Sequence, residues 1–418
     1  MFLLFVVKGG AIMTGINMSN VKIKNRASIL RVLKSEGSLS RKDIANKIGL
    51  TPAAVSILVG ELISEKIVKE RGEVEDSTKK VGRKKILVDI NYNKYYVIGV
   101  DIGLEFTKIG IANLKGNILN SMLITTNKDL KPKEFLKELA QKCMSFLWSN
   151  NVLKENILGF GVGIIGVVDF KKGISKHAYG LWNQEVPIKK ILEDILQANV
   201  IVDNNVRALA LAEIDHNNQT RGNNILFVKH GPGIGSAMII NKEIYYGSTN
   251  MAGEIGHMIL DSNGSLCRCG KRGCLETIVS KKAVINKLQE KTPQDTTLDL
   301  NMYKDLNFKT LLDETELEKG DIIKLINEMA FYMGLGISNV ITIYDPNKVI
   351  LHGELFKYKI FMLELKNNLK NMLPNNNLKG FILLSELKEG YISGTSIAIQ
   401  NFFFKTGGII PKLTIKGN

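Results

Sequence analysis

Residues 251–257 read Met-Ala-Gly-Glu-Ile-Gly-His, and residues 267–276 read Cys-Arg-Cys-Gly-Lys-Arg-Gly-Cys-Leu-Glu. Three of the chain's 4 cysteines fall within eight residues here, and His257 precedes the first by ten. Three thiolates and one imidazole make a closed tetrahedral zinc sphere. The intervening glycines let the loop wrap tightly. Arg268, Lys271 and Arg272 would favour ionised thiolates. A redox cluster and a core histidine are the alternatives, and the grouped spacing favours zinc. His257, Cys267, Cys269 and Cys274 are therefore the expected ligands of one Zn2+ per chain. A closed sphere leaves no position for water, so the ion is expected to be structural. Glu254 and Glu276 flank it, either supporting the metal or accepting hydrogens from a polyol. The fourth cysteine, Cys143, lies on an amphipathic helix and is expected to be apolar filler.

Outward from this block the chain has an α/β texture. Tyr95–Asp101 is a buried-strand run that ends in an acid, with Gly103 just beyond. Ile109–Asn113 reads as a strand, Lys115-Gly116-Asn117 as a turn and Lys133–Trp148 as an amphipathic helix. Gly159–Asp169 reads as one glycine-rich strand. Ile201–Asn205 is a strand end, followed by a helix from Val206 to Ile214. Ile225–His230 and Ala237–Ile240 flank the loop Gly231-Pro232-Gly233-Ile234-Gly235. A strand-then-glycine order that recurs predicts two α/β lobes around a cleft, in the manner of actin-like sugar kinases. The small lobe is expected over residues 91–210 plus about 393–418. The large lobe, with the zinc site, is expected over 211–392.

Upstream the pattern is helical. Ile29, Leu30 and Leu33 form one apolar stripe. Ser40 is an N-cap with Asp43 three residues on. Ile44, Ala45 and Ile48 form a second stripe, closed by Gly49. Thr51 caps a third helix with Pro52 at its first position, and Val55, Leu58, Val59 and Leu62 make its inner face. Two short strand-like runs follow, Ile67–Glu70 and Lys85–Val88. The basic segment Gly82-Arg83-Lys84-Lys85 lies between and beside them. Residues 21–90 thus predict a mostly α winged helix-turn-helix. The alternative is a helical protein-docking module. The expected DNA contacts are Arg41, Lys42, Thr51, Ala53, Ala54, Ser56, Arg83, Lys84 and Lys85. The third helix turns Ala53, Ala54, Ser56 and Ile57 outward without Arg, Asn or Gln. Bidentate base reading is thin there, and methyl, hydroxyl and wing contacts must carry more.

Charge supports this division. The 418 residues carry 56 Lys and Arg against 41 Asp and Glu, a formal +15. Of that excess, +7 falls between Met18 and Ile90, where 16 basic residues meet 9 acidic ones. That is the place to expect a polyanion. The length suggests two to three domains. The 44% apolar content excludes global disorder, and 4 cysteines exclude a disulfide scaffold. No run of about 18 uncharged apolar residues exists to span a membrane. Met1–Val7 is apolar but short, with Lys8 after it rather than before, unlike a secretory signal. Residues 1–20 are expected to be a tail, and the protein is expected to be cytoplasmic.

The Gly-Glu-Ile-Gly-His and Cys-x-Cys-Gly-x-x-Gly-Cys-Leu-Glu blocks resemble the ROK family (repressors, open reading frames and kinases). The resemblance covers nearly everything from Asn25 to about Ala398. With the N-terminal module, the chain looks like the xylose-repressor and N-acetylglucosamine-repressor types. The resemblance implies the zinc ligands named above, and sugar hydroxyls held by Asn204, Asn205, Glu254, His257 and Glu276. It also implies a homodimer or tetramer on a palindromic DNA operator. Three departures stand out. ROK kinases carry Asn-Asp where this chain has Asn204-Asn205, and an amide cannot take the sugar's proton. Their first phosphate turn is Asp-x-Gly-Gly-Thr, here Asp101-Ile102-Gly103-Leu104-Glu105. Pro232 replaces a hydroxyl and removes a backbone donor in the second phosphate loop. No catalytic residue and no ATP are therefore expected. The expectation is a sugar-responsive regulator, most simply a repressor of carbohydrate-utilisation genes. The alternatives are an active ROK sugar kinase with an appended DNA-binding domain, and a constitutive DNA-binding protein with a vestigial pocket.

Overall fold

The computed structural model describes residues 18–74, 85–216, 224–291, 319–374, 378–387 and 392–410. The chain divides into two units. One holds residues 1–95 and 399–414, the other residues 96–398 and 415–418.

In the first unit, α1 (Met18–Glu36) leads to β1 (Leu39–Ser40), α2 (Arg41–Ile48) and α3 (Pro52–Ser64). Both expected caps form. Ser40 Oγ accepts from Asp43 N at 3.2 Å, and Thr51 Oγ1 accepts from Ala54 N at 3.3 Å. Gly49 closes α2 at φ 70°, a left-handed conformation that disfavours a side chain. The two helices then cross at 117°, the geometry of a helix-turn-helix. Ile29, Leu30, Leu33, Ile44, Val55, Val59 and Leu62 are fully buried between the helices. β2 (Val68–Val74) and β3 (Lys85–Ile90) pair antiparallel, and β1 adds to the other edge of β3. Arg83, Lys84 and most of residues 1–20 lie outside the described residues.

The boundary expected for the C-terminal segment is corrected. Residues 399–410 group with the helix-turn-helix unit, not with the small lobe. The chain turns after a π-helix, Gln400–Phe404, that packs on α1. Buried Arg26 of α1 donates from Nε to Gly407 O at 2.9 Å. Its guanidinium also pairs with Glu65, the residue that ends α3. Lys34 lies over the Phe404 ring at 4.5 Å. Phe403 and Phe404 supply apolar surface that the short helices lack.

The second unit has two five-stranded sheets. The first is built from β4 (Tyr96–Ile102), β5 (Phe106–Asn113), β6 (Ile118–Thr125), β7 (Ile157–Ile164) and β10 (Val200–Asn204), in the order β10-β7-β4-β5-β6. α4 (Pro132–Ser149) and α5 (Ile188–Leu196) bury Phe135, Leu139, Cys143, Leu192 and Leu196 against it. Burial pushes the Cys143 thiol up to about 12, as suits a filler. The single strand expected over Gly159–Asp169 is two. A turn at Ile165–Gly166 separates β7 from β8 (Val167–Asp169), which pairs with β9 (Ile174–His177).

α6 (Asn205–His216) leaves β10 and leads towards the second sheet. That sheet is β11 (Ile225–His230), β12 (Ile234–Ile240), β13 (Glu243–Ile244), β14 (Lys348–His352) and β15 (Ile382–Leu384), in the order β13-β12-β11-β14-β15. The helices Lys319–Tyr344 and Lys359–Met372 cover it with Met329, Met333, Ile337, Phe361 and Leu365. The short helix α7 (Glu276–Val279) follows the cysteine loop. Among the described residues no single helix is long and apolar enough to cross a membrane.

Candidate functional site

The cysteine loop folds as its spacing predicts. One ligand atom from each of His257, Cys267, Cys269 and Cys274 lies within 4.8 Å of the others. Cys267 Sγ is 3.5 Å from His257 Nδ1, and Cys269 Sγ is 3.6 Å from Cys274 Sγ. A tetrahedral ion about 2.3 Å from sulfur and about 2.0 Å from nitrogen sets its ligand atoms roughly 3.5–3.8 Å apart. The donor set therefore fits such an ion. Burial lowers the pKa of His257, which favours the neutral imidazole a metal needs. Lys271 Nζ donates to His257 O at 2.9 Å and clamps the loop.

His257 faces two ways. Nδ1 points to the sulfurs, while Nε2 lies 3.9 Å from Glu254 Oε2. Its ring also sits 4.9 Å from the ring of Tyr179. Burial holds the Glu254 carboxyl above the ordinary carboxylate range, with Arg207 pulling the other way. Burial likewise pushes Tyr179 up to about 12. A cavity of about 470 Å³ opens here, lined among others by Tyr179, Met238, Met251, Glu254, His257 and Lys271.

Glu276 is held more tightly than a free hydroxyl acceptor. Arg268 meets it through Nε at 2.7 Å and Nη2 at 2.8 Å, and Ile234 N donates to Oε2 at 3.1 Å. Arg268 thus serves the carboxylate rather than only the thiolates. A side chain at Gly233 would meet Glu276 Oε2 at 2.3 Å, so the glycine loop is shaped around this acid.

Asn204 is half committed. Its Oδ1 accepts from Val206 N and Arg207 N, capping α6, and its Nδ2 donates to Gly166 O at 2.8 Å. Asn205, partly exposed, makes no side-chain hydrogen bond among the described residues.

The first sheet lines up Lys108, Asp101, Gly163 and Asp203 across adjacent strands on one face. Both acids are spent inside the fold. Asp101 accepts from Ser393 N at 2.8 Å and Gly394 N at 3.0 Å, capping the helix Ser393–Ile399. Asp203 pairs with Arg207 at 2.7 Å and accepts from Tyr246 OH at 3.1 Å. Asp203 therefore does not stand in for the base that Asn205 cannot be. Arg207 escaped the sequence reading. A lone arginine in the run Val206–Leu211, four residues after Asp203, was its signal. Tyr179 and Tyr246 carried none.

Of the expected DNA contacts in the other unit, Lys42, Thr51, Ala53 and Ser56 of α2 and α3 are exposed, and Ala54 is half-buried. Lys85 is exposed at the start of β3. Arg41 is paired with Glu70 at 3.0 Å, which blunts its charge. Thr51 uses its hydroxyl as a cap.

Comparison with known proteins matches residues 97–394 to the ROK family and residues 24–69 to a winged helix-turn-helix DNA-binding family. A putative xylose repressor of Caldicellulosiruptor sp. (strain Rt8B.4) is 29% identical over 84% of this chain and 88% of that protein. A xylose repressor of Caldicellulosiruptor bescii is 28% identical over 89% of this chain and 94% of its own. A crystal structure described as a ROK family transcriptional regulator, homolog of E. coli MLC protein, superposes with a TM-score of 0.77. It is 19% identical and covers 94% of this chain and 98% of that one.

Proposed function

Because the chain belongs to the ROK family and carries a winged helix-turn-helix ahead of the family domain, we propose that it is a sugar-responsive transcriptional repressor. The observation that carries it is a helix-turn-helix with Ala53, Ser56 and Ile57 of α3 exposed, ahead of a ROK domain in which Asn205 is an amide and the neighbouring acid Asp203 is paired with Arg207. Sugar hydroxyls are held by Asn204, Asn205, Glu254, His257 and Glu276, with Tyr179 and Arg268 shaping the wall. A structural Zn2+ on His257, Cys267, Cys269 and Cys274 keeps Nε2 of His257 aimed at the sugar. The DNA-bound form is a homodimer on a palindromic operator, since paired recognition helices meet half-sites one turn apart. A repressor of this kind works in the cytoplasm, where its DNA is. The relatives named as xylose repressors support a sugar effector. Release requires that sugar favour one state of the sensor over the other.

The test is an operator duplex, recovered by selection from random DNA, titrated with xylose, glucose, mannose and their short oligomers. One sugar is expected to raise the melting temperature and weaken operator binding. At a hundred times its Kd it adds about 2.7 kcal/mol of stability. Metal analysis is expected to return one zinc per chain, and a chelator that removes it is expected to abolish the sugar response. Sugar-dependent ATP consumption without operator release would favour the kinase reading instead.

A further inference from the structure

α3 presents an unusual outer face. Ala53, Ser56, Ile57, Gly60 and Ser64 recur at helical spacing and are all exposed. Ile57 is 66% exposed, while its neighbours Val55 and Val59 are fully buried. No side chain on this face can make a bidentate hydrogen bond to a base edge. Gly60 adds a second observation. A Cβ built there meets nothing within 4 Å, so packing within the unit does not require a glycine in mid-helix. A surface that must come close to the backbone would require one.

Water is a poor permanent partner for this face, and a charged protein surface no better. Residues 18–90 carry +7 of the chain's +15, and Lys42 stands exposed on α2 without an ion pair among the described residues. A face of methyl and hydroxyl groups in a basic module fits the major groove of B-DNA. There the one apolar group on any base edge is the C5 methyl of thymine. We propose that Ile57, with the Ala53 methyl beside it, reads thymine methyl groups, so that the operator half-site places A·T pairs under the first two turns of α3. Ser56 adds a hydroxyl that can donate or accept and so discriminates little. This rests on the DNA-binding reading above.

The probe is the duplex selected from random DNA by the full-length protein, resynthesised with deoxyuridine at each thymine in turn. Uracil keeps every hydrogen-bonding group and lacks only the methyl. Each methyl buried against Ile57 is expected to contribute about fourfold in affinity. One or two positions per half-site should show that loss. Ile57→Ala should bind the thymine duplex more weakly, lose the thymine–uracil difference and keep its melting temperature, because the side chain supports nothing inside the fold. Lys42→Ala should weaken both duplexes alike. Equal affinity for thymine and uracil at every position overturns the proposal, as does a thymine–uracil difference that survives in Ile57→Ala. Failure to select any duplex overturns the DNA-binding reading itself, and the proposal with it.

Discussion

Arg207 is 3% exposed in an otherwise apolar helical run, and its guanidinium has no slack. Nε bonds Asp203 Oδ1 at 2.8 Å, Nη1 bonds Asn250 O at 3.0 Å and Nη2 bonds Val168 O at 2.9 Å. Tyr246 lies beneath it at 4.9 Å and is itself stacked on Phe170. A planar fork is needed to meet acceptors in three directions, which lysine cannot do. Arg207→Ala would leave Asp203 buried without its cationic partner, keeping only neutral donors such as the Tyr246 hydroxyl. The expected cost is about 3–5 kcal/mol, read by urea unfolding. Arg207→Lys should recover only part of it. The residue also joins α6 to the loop before Glu254, so the variant is expected to lose sugar binding. Asn204 and Asn205 show how far residue identity goes. Their place after a strand end was legible from sequence, but only the structure shows Asn204 capping α6 while Asn205 stays uncommitted.

At the scale of elements, the helix-turn-helix was readable because its signals are local. Ser40, Gly49, Thr51 and Pro52 each act within one turn of the chain, and each performs the expected task. Ser40→Ala should cost about 1 kcal/mol of stability by freeing the Asp43 amide. Gly60→Ala is expected to do the reverse. Nothing crowds the added methyl, and alanine in mid-helix is worth about 0.5–1 kcal/mol over glycine. A thermal melt should show that gain while operator affinity falls. A variant both more stable and tighter on DNA would show that Gly60 serves no surface. The cysteine loop was legible for the same reason of locality. Its ligand spacing needs only a few backbone turns to close.

At the scale of the whole molecule, the C-terminal segment changes the domain plan. Residues 399–410 complete the DNA-reading unit through Gly407, Phe403 and Phe404, more than 300 residues from the helices they cover. Arg26 links that segment to Glu65, at the end of α3, in a single side chain. Removing residues 400–418 should uncover Leu30 and Ile67, which Gly408 approaches. Operator affinity is expected to drop at least about tenfold, or about 1.4 kcal/mol. Hydrogen exchange should quicken in α1 and α3 and stay slow in the two sheets of the other unit. Unchanged exchange in α1 would show that the segment is not part of that unit's core.

Sequence by itself determined the features made by neighbours along the chain. These are the caps and turn of the reader, the Cys3His cluster, the strand-then-glycine runs and the missing base at Asn205. The caps and turn act within a few residues and the Cys3His cluster within the run His257–Cys274, so spacing reports them, while the amide at Asn205 is read from residue identity against the family pattern. The tertiary structure decided what distant parts do to one another. It set Arg268 on Glu276 rather than on the thiolates alone, Asp101 on the helix at Ser393, and Gly407 on Arg26. A buried charge needs a partner, but one-dimensional spacing does not say which of many acceptors the chain will bring to it.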